Sequence, residues 1–257
     1  MKWNRIPKII HYCWFGSSEL NKEAEECIAS WREFCPDYEI KRWDESNYDV
    51  TVNKYMHDAW LNKKWAFVSD YARLDVIHRY GGIYLDTDVE LIKPIDDLLE
   101  YDAFAGMEKP GRVAFGLGFG ARKGNSLVKE IMDEYEKMEF VNKDGTLNTI
   151  PCPEIQTRVL KRHGFKESDE NQVIEGMKIF EVKYFCPLDY DTCKLNIEKE
   201  TYSIHRYAAS WSSPRQKINR KVNKLRLELN NTFLPVFVKK AIIFIYKHLL
   251  KLLKSHL

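Results

Sequence analysis

Along the chain, apolar residues switch between every-second and every-third-or-fourth spacing, and each switch predicts an element. In "IPKIIHYCWFG", residues 6–16, Ile9, Ile10 and Tyr12 are strand formers, and Gly16, Ser17 and Ser18 end the run. "NKEAEECIASWREFC", residues 21–35, sets Ala24, Cys27, Ile28 and Trp31 on one helical face, and Pro36 stops it. "YEIKRWD" predicts a second strand. "KKWAFVSDYARLDVIHRYGG" predicts a helix with apolar Ala66, Ala72, Leu74, Val76 and Ile77, closed by Gly81 and Gly82 where a capping glycine belongs. "IYLDTDVELI", residues 83–92, follows as one strand. This β-α-β-α-β alternation predicts an α/β domain with a largely parallel sheet.

Between Lys93 and Glu200 the pattern is weaker. "AFAGMEK", "VAFGLGFGARKGN" and "KIFEVKYFCPL" suggest strands and "SLVKEIMDEYEKM" a helix, with no strand order implied. There is no internal repeat and no low-complexity segment.

With 257 residues, 44% of them hydrophobic and 13% aromatic, the chain can bury one large core. The six cysteines form no CxxC pair, and "MKWNRIPKII" lacks the apolar core of a signal peptide, so a reducing cytoplasm is expected. The overall charge of +2 hides an asymmetry. Up to Trp211 there are 29 basic and 37 acidic residues; from Ser212 onward there are 11 basic residues and one acid, Glu228. Residues 1–211 therefore read as an acidic body and 212–257 as a basic tail suited to an anionic surface, membrane or nucleic acid.

Chemistry concentrates in "RYGGIYLDTDVE". In an extended strand Asp86 and Asp88 point to the same side, at the carboxyl end of an apolar run, where open α/β sheets bind ligands. Two adjacent carboxylates repel unless a cation neutralises them. Oxygen ligands suit Mg²⁺ or Mn²⁺, ions that commonly bridge to substrate phosphates. For an isolated DxD the reading as two solvated turn residues would win; the apolar strand and the capping glycines before it shift the balance to a site.

The block "SDYARLDVIHRYGGIYLDTDVE" resembles glycosyltransferase family thirty-two. That family includes bacterial capsular-polysaccharide transferases, yeast initiating mannosyltransferase-like proteins and, more distantly, the catalytic domains of the large clostridial glucosylating toxins. The resemblance runs from Ile6 to about Leu91 and returns at "HRYAASWSS". It implies a GT-A, Rossmann-like fold: a mostly parallel sheet flanked by helices, here with a basic amphipathic helical tail. It further implies a metal-dependent enzyme that retains anomeric configuration and moves a sugar from a nucleotide donor, expected to be UDP-linked, to a saccharide or lipid-linked acceptor during surface polysaccharide synthesis.

By position, the resemblance makes Asp88 a direct metal ligand, with Asp86 reaching the donor ribose and the metal. Asp70 and Arg73 match donor-sugar contacts, and their i, i+3 spacing also permits a plain intrahelical ion pair. Tyr84 matches a donor-side position. Trp14 matches the aromatic residue that stacks on the nucleobase, the alternative being core packing; His11 reads as structural. His205 matches a third metal ligand, and an imidazole suits Mn²⁺ better than Mg²⁺. Ser210 and Trp211 match phosphate contacts, although the toxins carry a serine where this chain has Ala209.

The tail segment "VFVKKAIIFIYKHLLKLLKSHL" holds at most six consecutive apolar residues, far fewer than the ~20 needed to span a bilayer. Interleaved lysines and aliphatics predict an interfacial helix on an anionic membrane, with a helical partner as the alternative. Nucleic acid does not explain the aliphatic surface. The expected location is peripheral, at the inner face of the cell membrane. Two rivals remain at this stage: a glycoside hydrolase using Asp86 and Asp88, and a sugar-nucleotide-binding scaffold without catalysis.

Overall fold

The computed structural model describes residues 5–208, 214–230 and 232–252. They divide into two compact units: Met1–Pro187 with Ile197–Arg206, and Leu188–Asn196 with Tyr207–Leu257.

In the first unit the elements run β1 (Ile9–Cys13), α1 (Lys22–Phe34), β2 (Glu39–Trp43), α2 (Lys54–Leu61), α3 (Trp65–Tyr80), β3 (Gly82–Tyr84) and β4 (Val89–Leu91). They continue with β5 (Ala103–Lys109), β6 (Arg112–Ala121), α4 (Ser126–Glu136), α5 (Cys152–Arg162), β7 (Gln172–Ile174), β8 (Met177–Phe180), α6 (Val182–Phe185) and β9 (Ser203–His205). A 7-stranded sheet has the order β2-β1-β3-β6-β5-β8-β7, and β4 pairs with β9 in a separate ladder. β1 pairs in parallel with β2 and β3, as does β5 with β8; β6 and β7 are the strands that run against the rest. The expected α/β architecture, with a mainly parallel sheet and flanking helices, is therefore present.

Physical causes are visible at each joint leading to the site. Ile10, His11, Tyr12 and Cys13 are buried because β1 lies between two strands. Asn21 caps α1 by accepting the Ala24 N–H at 2.9 Å. Gly81 ends α3 with φ +70° and donates its N–H to Ile77 O at 2.8 Å. At Gly82, φ is +112° and an added Cβ would meet Ile9 O at 2.7 Å and His11 Nε2 at 2.8 Å, so only glycine lets β3 lie this close to β1.

His11 is structural, as expected. Its Nδ1 accepts the Trp43 indole N–H at 3.0 Å while its Nε2–H donates to Gly81 O at 2.9 Å, which fixes the neutral tautomer. Burial pulls its pKa down to about 4.

The sequence reading of residues 83–92 as one strand needs correction. Tyr84 ends β3, and β4 begins at Val89 because it leaves the main sheet to pair with β9, so the chain must turn between them. "KIFEVKYFCPL" likewise splits into β8 and the short helix α6.

In the second unit, α7 (Pro214–Asn230) and α8 (Val236–Leu252) follow the Leu188–Asn196 loop. Arg220 donates to Tyr207 O and lies over the Tyr190 and Tyr207 rings, 5.4 Å from each centroid. On α8 the side chains of Phe237, Phe244, Ile245 and Leu249 are all exposed. Among the described residues, no helix is long and apolar enough to cross a membrane.

Candidate active site

The turn after β3 is fixed by backbone bonds from three directions. Leu85 N–H donates to His11 O (3.1 Å), Asp86 N–H to Gly116 O on β6 (3.1 Å), and Val89 N–H to Asp86 O (3.0 Å). The last bond closes a turn over Asp86–Val89, so the two carboxylates converge through a turn rather than through strand pleating. Arg206 N–H donates to Asp88 O at 2.7 Å, fastening the turn to the end of β9.

Behind the turn lies Arg73, whose side chain is 4% exposed. Its Nη2 meets Asp70 Oδ1 at 3.0 Å and Asp86 Oδ1 at 3.4 Å, and Nε donates to Ser69 O at 3.1 Å. The guanidinium lies 5.0 Å from the Tyr84 ring centroid, and Tyr84 Oη–H donates to Asp86 Oδ1 at 3.0 Å. Asp70 and Arg73 are thus a buried pair joined to the DxD turn, not a surface one. Burial lifts the Asp70 carboxyl to about 6, with Arg73 opposing. The Asp86 carboxyl is also raised, foremost by burial; Arg73 opposes this and Asp88 adds to it. Arg73 is held charged by Asp86, Tyr84 and Asp70 against the cost of burial.

Asp88 faces β9. The register places His205 opposite Val89, and His205 Nε2 lies 3.1 Å from Asp88 Oδ1. Burial disfavours the charged ring, but Asp88, then Asp86 and Glu108, outweigh it and raise the His205 pKa. One ligand atom from each of Asp86, Asp88 and His205 lies within 4.8 Å of the others. Two carboxylates and an imidazole around one point fit a divalent cation, and the 29% exposure of the Asp86 side chain leaves that point open to a substrate oxygen.

Trp14 sits half-buried just beyond β1, outside the core cluster, its indole N–H donating to Ser18 O at 2.9 Å. The indole is therefore not part of the core. Ser210 and Trp211 lie outside the described residues.

Three neighbours were not singled out by sequence. A Cβ on Gly116 would sit 2.2 Å from Asp86 Oδ2, so β6 needs glycine there; the small residues in "GLGFG" were the available signal. Cys152 Sγ lies 3.9 Å from Arg73 Nη1, and burial followed by Asp70 pushes the thiol far above its usual range. Glu108, next to last in β5, forms an ion pair with Arg112 (Oε1 to Nε 2.7 Å); burial raises its carboxyl, while Arg112 and then His205 oppose the rise.

Residues 21–105 match the model of the family described as "Glycosyltransferase sugar-binding region containing DXD motif". The chain is 28% identical over 142 residues to inositol phosphoceramide mannosyltransferase 3 of Schizosaccharomyces pombe, covering 52% of this chain and 38% of that protein. It thus spans well under half of that relative's length. It is 25% identical over 223 residues to an uncharacterized glycosyltransferase, L373, of Acanthamoeba polyphaga mimivirus, covering 80% of this chain and 84% of the other. A solved structure named PaToxG glycosyltransferase aligns with TM-score 0.46 and 16% identity, over 61% of this chain and 68% of that one. The matched region and the curated relatives support an enzyme of the transferase class.

Proposed function

We propose that this chain, which carries a glycosyltransferase region of the DXD type, is a metal-dependent, retaining glycosyltransferase that uses a nucleotide-sugar donor, UDP-linked by preference. The observation that carries the reading is the convergence of Asp86, Asp88 and His205 within 4.8 Å, backed by buried Arg73. The acceptor is a saccharide or lipid-linked saccharide, and the pathway is surface polysaccharide synthesis.

Asp86, Asp88 and His205 would hold Mn²⁺ or Mg²⁺, which when bound supplies positive charge to the departing diphosphate. Ligation would require a neutral imidazole, so His205, whose Nε2 lies 3.1 Å from Asp88 Oδ1, would be held to the cation in its deprotonated form. Tyr84 and Arg73 pin one oxygen of Asp86 and leave the carboxylate a single orientation. Arg73 stays cationic beside the reacting centre and adds a fixed positive field to it, the kind of preorganised term that dominates many such reactions. Asp70 orients Arg73 and contacts the donor sugar. Trp14 offers its indole face to the donor base.

Within this reading residues 1–211 form the catalytic domain, and 212–257 form a basic tail that holds the enzyme at the cytoplasmic face of an anionic membrane. The exposed Phe237, Phe244, Ile245 and Leu249 among lysines on α8 support that role, and nucleic acid is not a partner. A hydrolase would need Asp86 and Asp88 to flank a sugar from opposite sides; they leave a single turn and converge.

The test is a screen of nucleotide sugars for hydrolysis with and without Mn²⁺ and Mg²⁺, which needs no acceptor. Metal-dependent hydrolysis of one donor supports the proposal. Donor binding without turnover supports the scaffold alternative.

A further inference from the structure

Beside the Asp70–Arg73 pair the core contains two hydroxyls that no described protein group satisfies. Tyr55, second in α2, and Tyr135, next to last in α4, are both fully buried. Their rings meet edge to face with centroids 5.2 Å apart, and Phe140 packs edge-on to Tyr55 at 5.2 Å. Tyr71, the residue after Asp70, packs on Tyr135 at 6.1 Å. Neither the Tyr55 nor the Tyr135 hydroxyl has a hydrogen-bond partner among the described residues. We propose that Tyr55 and Tyr135 are positioning residues for Arg73: buried water bridges their hydroxyls to the Asp70 carboxylate, and the bridge fixes the acid that orients Arg73. The water site stands on the packing alone; its consequence for turnover rests on the transferase reading.

A phenylalanine at either place would bury the same ring and leave no polar atom to satisfy. A hydroxyl sealed in the core without a partner gives up its hydration for nothing, so such groups in folded proteins are met by protein or by ordered water. No described protein group meets these two, which points to water. A buried water typically makes about three hydrogen bonds. The two hydroxyls supply two of them, and Asp70 is placed to supply the third.

Asp70 is the charged group common to both tyrosines. Burial raises the pKa of each phenol, and Asp70 and then Cys152 add to the rise in both. The carboxylate has room to accept: its Oδ1 meets Arg73 Nη2 at 3.0 Å, and a carboxylate takes several hydrogen bonds at once. Cys152 Sγ, 3.9 Å from Arg73 Nη1, borders the same group of side chains. One helical turn further along α5, Gln156 adds a buried Nε2 without a partner among the described residues.

The consequence reaches the DxD turn through Arg73, which lies 3.0 Å from Asp70 and 3.4 Å from Asp86. Fully satisfied buried polar networks are rigid, and partly satisfied ones are not. Hydrogen bonds from the bridge also favour the charged form of Asp70, against the rise that burial imposes. Asp70 thus remains an anion able to hold Arg73, and Arg73 keeps its place beside Asp86.

The test pairs crystallography with kinetics on the full chain, comparing the wild type with Tyr55→Phe and Tyr135→Phe. Each substitution keeps the ring in the core and removes one oxygen. The wild-type crystal structure should show ordered water within hydrogen-bond distance of both hydroxyls and of Asp70; a dry contact there would overturn the bridge. Each variant should lose that water and let the Arg73 guanidinium move away from Asp86. For metal-dependent donor hydrolysis, kcat should fall about three- to tenfold in each variant while KM stays within about twofold and the melting temperature changes little. An unchanged kcat with a shifted melting temperature would make the hydroxyls structural and overturn the positioning role. If the chain hydrolyses no donor, the transferase reading falls and the guanidinium decides: displaced in both variants, it supports the positioning role, and unmoved, it overturns it.

Discussion

Gly116 on β6 faces Asp86 so closely that a methyl group on its α-carbon would lie 2.2 Å from Oδ2. The carboxylate can rotate only by giving up its contacts with Tyr84 and Arg73. Gly116→Ala should therefore leave the fold intact and reduce Mn²⁺ affinity by about 10- to 100-fold, the usual effect of disturbing groups that orient a metal ligand. Mn²⁺ titration followed by electron paramagnetic resonance reads this directly. Wild-type affinity in the variant would mean that Asp86 does not need its present orientation.

Trp14 lies half-buried beyond β1 and outside the core. Trp14→Ala should weaken UDP binding by about 1–3 kcal/mol, the range for base–aromatic stacking, with little loss of stability. An unchanged UDP affinity accompanied by a lower melting temperature would return the indole to a packing role.

His11 should resist protonation. Its pKa of about 4 lies below the ordinary 6.5, so the unfolded chain binds a proton that the folded one refuses between those values. This contribution to stability is complete above pH 6.5 and is lost as pH falls toward 4, about 3 kcal/mol in all. The His11 ring resonances in an NMR titration should stay unshifted from pH 7 to about 5. A midpoint near 6.5 would contradict the buried neutral ring.

Much of this was legible in the sequence because local pattern and final environment agree. Ala24, Cys27, Ile28 and Trp31 share one face of α1 and are all buried, and Gly81 caps α3 as its position suggested. The Asp86–Asp88 turn was misread because the switch from β3 to β4 depends on β9, more than a hundred residues later. Helix α5 was missed for a different reason. Its buried face includes Gln156 and Thr157, polar residues that accept the Phe115 and Val113 N–H groups at 3.0 Å, and no periodicity rule counts such positions as core. Glu108 and Gly116 came from strands whose order the pattern left open.

For the tail, a chain ending before Asn231 should keep donor hydrolysis and lose sedimentation with anionic vesicles. Each basic residue near such a surface contributes about 1 kcal/mol, and the exposed Phe, Ile and Leu residues of α8 add to that. Raising salt should weaken the intact protein's binding. Equal sedimentation of both chains would remove the membrane role.

The central claim is that Asp88 and its neighbours hold a divalent cation on which donor cleavage depends. The most direct measurement compares Asp88→Asn with the wild type for hydrolysis of the donor found in the nucleotide-sugar screen, across a Mn²⁺ titration. An amide is a far poorer ligand for a hard cation than a carboxylate. The variant should keep the wild-type circular dichroism spectrum and lose metal-dependent hydrolysis by at least about 100-fold. Wild-type hydrolysis by Asp88→Asn in the presence of a chelator would contradict the account.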